Sequence, residues 1–219
     1  VFTVSSIAFA ISAAAPTAGL HFSDYVFDSL ERKGIVKEFV TLHVGAGTFK
    51  PVDSATIGEH EMHIEKIEVT KQNIIRLLQY VSKTIIPVGT TSVRTLESVY
   101  WFGVKLGIDA TIEQMHISQW EPYELVDYAL SAEESLHNVL DFMDRNAIDT
   151  LYGDTQLMIA PGYKYHLVKG IVTNFHQPKS TLLLLVSALI GDKWKEGYTY
   201  ALQHDFRFLS YGDSCLFIP

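Results

Sequence analysis

The stretch TIIPVGTTSVRTLESVYWFG, Thr84 to Gly103, opens as a short apolar run, turns at Gly89 and continues as a helix whose first turn holds Thr91, Ser92 and Val93. A buried strand that passes through a small-residue turn into a helix is the building unit of α/β proteins. The same unit recurs in LVKGIVTNFHQPKSTLLLLVSALIG, Leu167 to Gly191. Two such units predict neighbouring strands in a mainly parallel sheet flanked by helices. Both turns then open at the carboxyl edge of the sheet, where such folds bind their ligands.

Upstream, Ser23 is placed to cap a helix from Asp24 to about Lys33, closed by Gly34. Ile35 to Val44 is rich in β-branched residues and runs into Gly45, Ala46 and Gly47, a strand leaving through a flexible turn. HEMHIEKIEV, His60 to Val69, alternates as a half-buried strand does, and Thr70 caps a helix with Ile74, Leu77, Leu78 and Val81 at helical spacing. Segment 108–155 reads differently. Ser131 and Glu134 form a capping box for a helix to about Arg145, so the segment is expected as an inserted excursion with its own helix.

Of 219 residues 47% are apolar, enough for one sizeable core. The apolar run Leu182 to Ile190 is too short to cross a bilayer and is followed by Asp192, Lys193 and Lys195, so no membrane span is read. The apolar start, Val1 to Ala15, lacks the basic leader of a signal peptide, and an internal-looking first residue leads us to expect further sequence before it. A single cysteine, Cys215, allows no internal disulfide and favours a reducing cytoplasm. The formal charge of −8 argues against a dedicated nucleic-acid binder, but it is unevenly placed. Segment 108–155 holds eleven acids and one base, Arg145, a balance of −10 that leaves +2 for the remainder. The remainder can therefore face a polyanion.

Helix starts present unpaired N–H groups, so GTTSVR can hold a carboxylate or phosphate, with Thr90, Thr91, Ser92, Arg94 and Thr95 as further donors. HQPKST offers a second such mouth, where Lys179 is a point charge and Ser180 or Thr181 a cap. Both also read simply as well-capped helices, with Asn174 and His176 satisfying the turn. In HEMHIE, strand alternation places Glu61, His63 and Glu65 on one face and His60 and Met62 on the other, an acid/base pair or part of a metal site. The spacing is not HExxH, and GAG is not the dinucleotide-binding GxGxxG. His21 and His43 sit at segment junctions, and Arg207, Tyr211 and Asp213 flank a turn at Gly212.

Six words taken in order carry more weight than any one of these motifs: APTAGLHF (15–22), FVTLHVGAGTFKPV (39–52), EHEMHIE (59–65), VGTTSVRTLES (88–98), TNFHQPKSTLLLLVSALIG (173–191) and FRFLSYGDSCLFI (206–218). In these words the chain resembles the S-adenosylmethionine:tRNA ribosyltransferase-isomerases of queuosine biosynthesis. The resemblance implies an enzyme that moves and isomerises the ribosyl group of S-adenosylmethionine onto 7-aminomethyl-7-deazaguanine at the wobble position of tRNA. Epoxyqueuosine-tRNA, adenine and methionine are the products. It implies no metal and no tightly bound cofactor, S-adenosylmethionine being a co-substrate, and as partner the tRNA anticodon arm. A cytoplasmic monomer is expected.

The resemblance also assigns roles. His43, His63 and His176 become acid/base candidates, with Glu65 and Glu97 steering an imidazole or the sulfonium charge. Thr90, Thr91, Ser92 and Arg94 are the grip on carboxylate or ribose, and His21, Gly45, Gly47, Thr95, Asn174, Lys179, Ser180, Tyr211 and Asp213 complete the substrate contacts. Residues 1–219 are expected to be the α/β catalytic domain of a larger, N-terminally incomplete protein, with the family's β-barrel portion largely absent from this chain. The acidic segment departs from the family pattern and is expected to face away from the tRNA. Two other readings compete. One is a divergent or non-catalytic homologue binding another nucleoside or a protein; the other is a metal-dependent hydrolase built on His60, His63 and Glu65.

Overall fold

A computed structural model of the chain describes residues 2–6, 17–43 and 57–219. Its strands, β1 (Phe2–Ser6), β2 (Lys37–His43), β3 (Glu65–Thr70), β4 (Ile86–Val88), β5 (Met115–Ile117), β6 (Thr150–Thr155), β7 (Ile171–Asn174) and β8 (Ser214–Phe217), form one eight-stranded sheet. The order across it is β5-β6-β3-β2-β1-β4-β7-β8. β1 lies parallel to both β2 and β4, β4 is parallel to β7, and β5 is parallel to β6. Only β3 and β8 run the other way. The sheet is thus mainly parallel, and the two strand–turn–helix units do lie side by side, joined through Val88 and Val172.

The helices are α1 (Asp24–Arg32), α2 (Lys71–Gln79), α3 (Thr90–Ile108), α4 (Glu121–Glu124), α5 (Ala132–Arg145), α6 (Thr181–Ile190) and α7 (Lys193–Gln203). Their starts follow the sequence. Thr70 makes a capping box with Asn73, Ser131 makes one with Glu134, and the Ser180 hydroxyl accepts the Leu183 N–H. Ser23 precedes α1 without a side-chain cap bond. α3 is buried along most of its length because it packs on the sheet with one side and on α5 with another. At that second contact a Cβ on Gly103 would stand 2.1 Å from the Ser135 carbonyl oxygen, so only glycine lets the helices approach this closely.

Segment 108–155 has the expected helix, α5, but it is threaded through the fold rather than appended. It supplies β5 and β6 to the sheet, and β6 pairs with β3 along its whole length. A three-residue β5 and a β6 with an internal glycine carry too little pattern to be read as strands. Part of its acidity is neutralised by bases outside it. Lys105 meets Glu121 at 2.6 Å, and Lys71 meets Asp144.

A second difference concerns HEMHIEKIEV. β3 begins only at Glu65, and residues 60–63 belong to no strand. Their backbone groups are met by side chains instead: Gln119 accepts the Met62 N–H at 2.9 Å and donates to the His60 carbonyl at 2.6 Å, while Gln156 donates to the Met62 carbonyl at 3.0 Å. Two glutamines stand where a neighbouring strand would be.

Candidate active site

Parallel pairing brings the ends of β4 and β7 to one edge of the sheet, together with the ends of β2 and β6. Since β3 is antiparallel to β2 and β6, its first residue, Glu65, opens at that same edge opposite Thr155. α3 starts there too, from Gly89. This residue has φ of 90°, a conformation that suits glycine, and its N–H donates to the Val172 carbonyl at 2.8 Å.

Glu65 and Arg94 form a buried ion pair, with exposures of 0% and 4%. His63 Nε2 lies 3.0 Å from Glu65 Oε1, and the Thr91 hydroxyl donates to the same oxygen at 3.4 Å. Burial works to raise the Glu65 pKa, but Arg94 and the hydrogen bonds from His63 and Arg94 outweigh it, so the carboxyl stays below its ordinary range and ionised. An ionised carboxylate only accepts, so His63 Nε2 carries a proton, and whenever the ring is a base its lone pair is on Nδ1. Arg94 Nη2, 3.4 Å from Nε2, is then a donor beside a donor and contributes charge rather than a bond. Glu65 thereby orients His63 as a carboxylate orients the histidine of a hydrolytic triad.

The cluster is not saturated. Glu65 Oε2 and Arg94 Nε are buried without a hydrogen-bond partner. Unmatched groups of this kind are costly in a folded core and are expected where a ligand completes them. A free acceptor on an anion beside a free donor on a cation matches a zwitterion, whose ammonium and carboxylate would take one each.

The remaining expected residues divide clearly. The hydroxyls of Ser92 and Thr95 donate to backbone carbonyls one turn back, those of Val88 and Thr91, both at 2.9 Å. Thr90 is buried at the start of α3. His176 is held by Thr173 Oγ1 at 2.8 Å, and burial lowers its pKa to about 4, so it is neutral near pH 7 and a weak base. Asn174 is buried at the end of β7 and meets His21. Lys179 is exposed, with φ of 59°, just before α6, and Ser180 caps that helix. Tyr211 is exposed, and Asp213 is paired with Arg207 at 2.8 Å. His43 closes β2; its side chain, with Gly45 and Gly47, lies outside the described residues.

Glu97 stands apart. It is fully buried and accepts the N–H groups of His166, Leu167 and Val168, each at 3.0 Å, and the Tyr163 hydroxyl at 2.8 Å. Burial pushes its carboxyl upward, and those four donors pull against it without cancelling the rise. All four partners come from the loop that leads into β7, so Glu97 fixes that loop. Gln119 and Gln156 are the residues that sequence reasoning misses. The one signal is positional: each follows the carboxyl end of a strand, β5 or β6, on the edge that carries the site. Among the described residues no group of three or more His, Cys, Asp or Glu is placed to hold a metal ion. No described helix is long and apolar enough to cross a membrane.

A mainly parallel α/β sheet with a buried carboxylate–arginine–histidine cluster at its carboxyl edge defines a class of ligand-binding α/β domains. Within that class the chain belongs to the queuosine biosynthesis protein family, whose family model matches residues 3–217. It is also similar to the solved structure of an S-adenosylmethionine tRNA ribosyltransferase from Thermotoga maritima, with 29% identity and a TM-score of 0.57. The match covers 91% of this chain and 50% of that one, so the chain spans about half the length of the protein it resembles.

Proposed function

We propose that this chain carries the catalytic sheet of an S-adenosylmethionine:tRNA ribosyltransferase-isomerase. The enzyme transfers the ribosyl group of S-adenosylmethionine, with isomerisation, to 7-aminomethyl-7-deazaguanine at the wobble position of tRNA and releases adenine and methionine. The observation that carries the reading is the half-satisfied cluster of Glu65, Arg94 and His63, in a chain of the queuosine family. The amino-acid end of S-adenosylmethionine is the zwitterion such a cluster fits, its carboxylate on Arg94 Nε and its ammonium on Glu65 Oε2. His63, held by Glu65 through Nε2, takes through Nδ1 a proton from the carbon beside the sulfonium, where the positive sulfur acidifies the C–H bond. Gly89 and Thr91 shape the start of α3 against that group.

The other assignments are parts of the same proposal. Glu97 acts at one remove, as a positioning residue for the loop into β7. His176, neutral and half-buried, supports the end of β7, and Lys179 meets a phosphate of the anticodon arm. The protein works in the cytoplasm as a monomer, without a tightly bound cofactor. The acidic face of α5 lies on the helix layer and is turned from the RNA.

The test is incubation of the whole protein with S-adenosylmethionine and an anticodon stem-loop carrying the aminomethyl base, followed by mass spectrometry. Adenine release together with ribosyl addition to the RNA is the expected result. Binding of both substrates with neither product, under conditions where a control enzyme turns over, would overturn the reading.

A further inference from the structure

A second unsatisfied group lies at the same edge, on β7. Asn174 is 2% exposed, and its Nδ2 donates to the Leu209 carbonyl at 3.1 Å and faces His21 Nε2 at 3.3 Å. The Leu209 carbonyl can only accept, which fixes the amide orientation and leaves Oδ1 as the acceptor. With one Nδ2 hydrogen on Leu209 and the other on His21, the imidazole accepts at Nε2 and carries its proton on Nδ1. Oδ1 has no partner. The residues that carry or flank its two partners are exposed: Leu20, next to His21 in the chain, Leu209 itself, at φ of 70°, and Tyr211 two residues on.

We infer that Asn174 Oδ1, oriented by His21 and Leu209, accepts a hydrogen bond from the exocyclic amine of a purine-type base that packs beside these exposed residues. Two features select a base. The vacant group is a neutral acceptor, which asks for a neutral N–H donor rather than an ion, and the neighbouring exposed aromatic ring and aliphatic chains suit a π-face. The site is distinct from the Glu65–Arg94 cluster. β3 and β7 are four strand spacings apart, about 19 Å, so the two vacancies serve different parts of the substrates. This inference rests on the proposed function for the identity of its ligands. The base is either the adenine of S-adenosylmethionine, presenting its 6-amine, or the deazaguanine of the RNA, presenting its 2-amine.

Binding affinities of four probes decide it: S-adenosylmethionine, its 6-oxo (inosyl) analogue, the stem-loop with its deazaguanine, and the stem-loop lacking the 2-amine. Each is titrated against the whole protein, wild type, Asn174→Ala and Asn174→Asp. In the wild type one amine-deleted probe is expected to bind at least about tenfold more weakly than its parent, and which pair does so names the base. The ratio falls to near one in Asn174→Ala and shrinks in Asn174→Asp, whose carboxylate has no N–H for Leu209 and His21 and so loses the orientation of its oxygen. Equal binding of parent and amine-deleted probes by the wild type overturns the inference whether or not the variants fold, and so does an undiminished ratio in a folded Asn174→Ala. Because the readout is binding, a protein that discriminates the probes but releases no adenine refutes the proposed function and leaves this site standing.

Discussion

Two contacts fix His63: a carboxylate at Nε2 and a backbone held by glutamine side chains. If its Nδ1 is the base, His63→Ala lowers the rate of adenine release about a hundredfold or more, with little change in S-adenosylmethionine affinity. A loss of tenfold or less in single-turnover assays would remove it from that role. Gln119→Ala, which frees Met62 and His60, is expected to lower turnover while leaving the fold intact by circular dichroism. Glu65 makes a statement about pH. Its folded pKa lies below its ordinary value of 4.5, so its contribution to stability is fully present above that value and is lost as pH falls through the folded one. Urea melts between roughly pH 3 and 6 should show stability falling on the acid side, and a shallower fall in Glu65→Gln. Equal slopes would mean that Glu65 is not ionised in the fold.

Among the elements, α3 matters most, since it begins at the site and ends under α5. Gly103→Ala forces a methyl group into the Ser135 backbone, which cannot swing aside as a flexible side chain can. It should cost about 1–3 kcal/mol or more, read as a lower Tm. Ser131→Ala removes only one half of an exposed capping box and should cost about 1 kcal/mol. If the two melt alike, the α3–α5 contact is looser than its geometry. The legibility of the elements follows their locality. Both strand–turn–helix units and the capping boxes at Thr70 and Ser131 could be read because their partners lie within a few residues. The pairing of His63 with Glu65 was anticipated from strand alternation, yet the chain there is not a strand; the residues meet because Gln119 and Gln156 extend that stretch. Glu97 with its loop 163–168, and Asn174 with His21, were not legible as pairs, since about 70 and 153 residues separate them. Only the assembled sheet joins such distant groups.

For the whole molecule, charge decides how a chain of net −8 would approach the RNA of the proposed reaction. The acids of α5 lie on a helix that packs against α2 and α3, whereas Lys179 stands exposed at the mouth of α6. Affinity for the stem-loop should fall as salt rises, and Lys179→Ala should reduce that log–log slope by about one contact. Replacing Asp141 and Asp144 by Asn should leave the slope unchanged; a clear rise in affinity would put the acidic face beside the RNA. The two substitutions share one salt titration, so each is the control for the other.

The position of β1 has a consequence for assembly. Glu65 belongs to the half-sheet β5-β6-β3-β2, and Arg94 and Asn174 to elements of the half β4-β7-β8; among the described strands β1 alone pairs with both. The first described strand is therefore the seam of the molecule, and its neighbours are made some thirty and eighty residues later. Until the seam closes, each half exposes a bare parallel edge to any other chain, and the ionic cluster exists only as two separated fragments. A ligand bound at Glu65 and Arg94 would then stabilise the joined sheet over its halves, so that under the proposed function S-adenosylmethionine would be a folding ligand as well as a reactant.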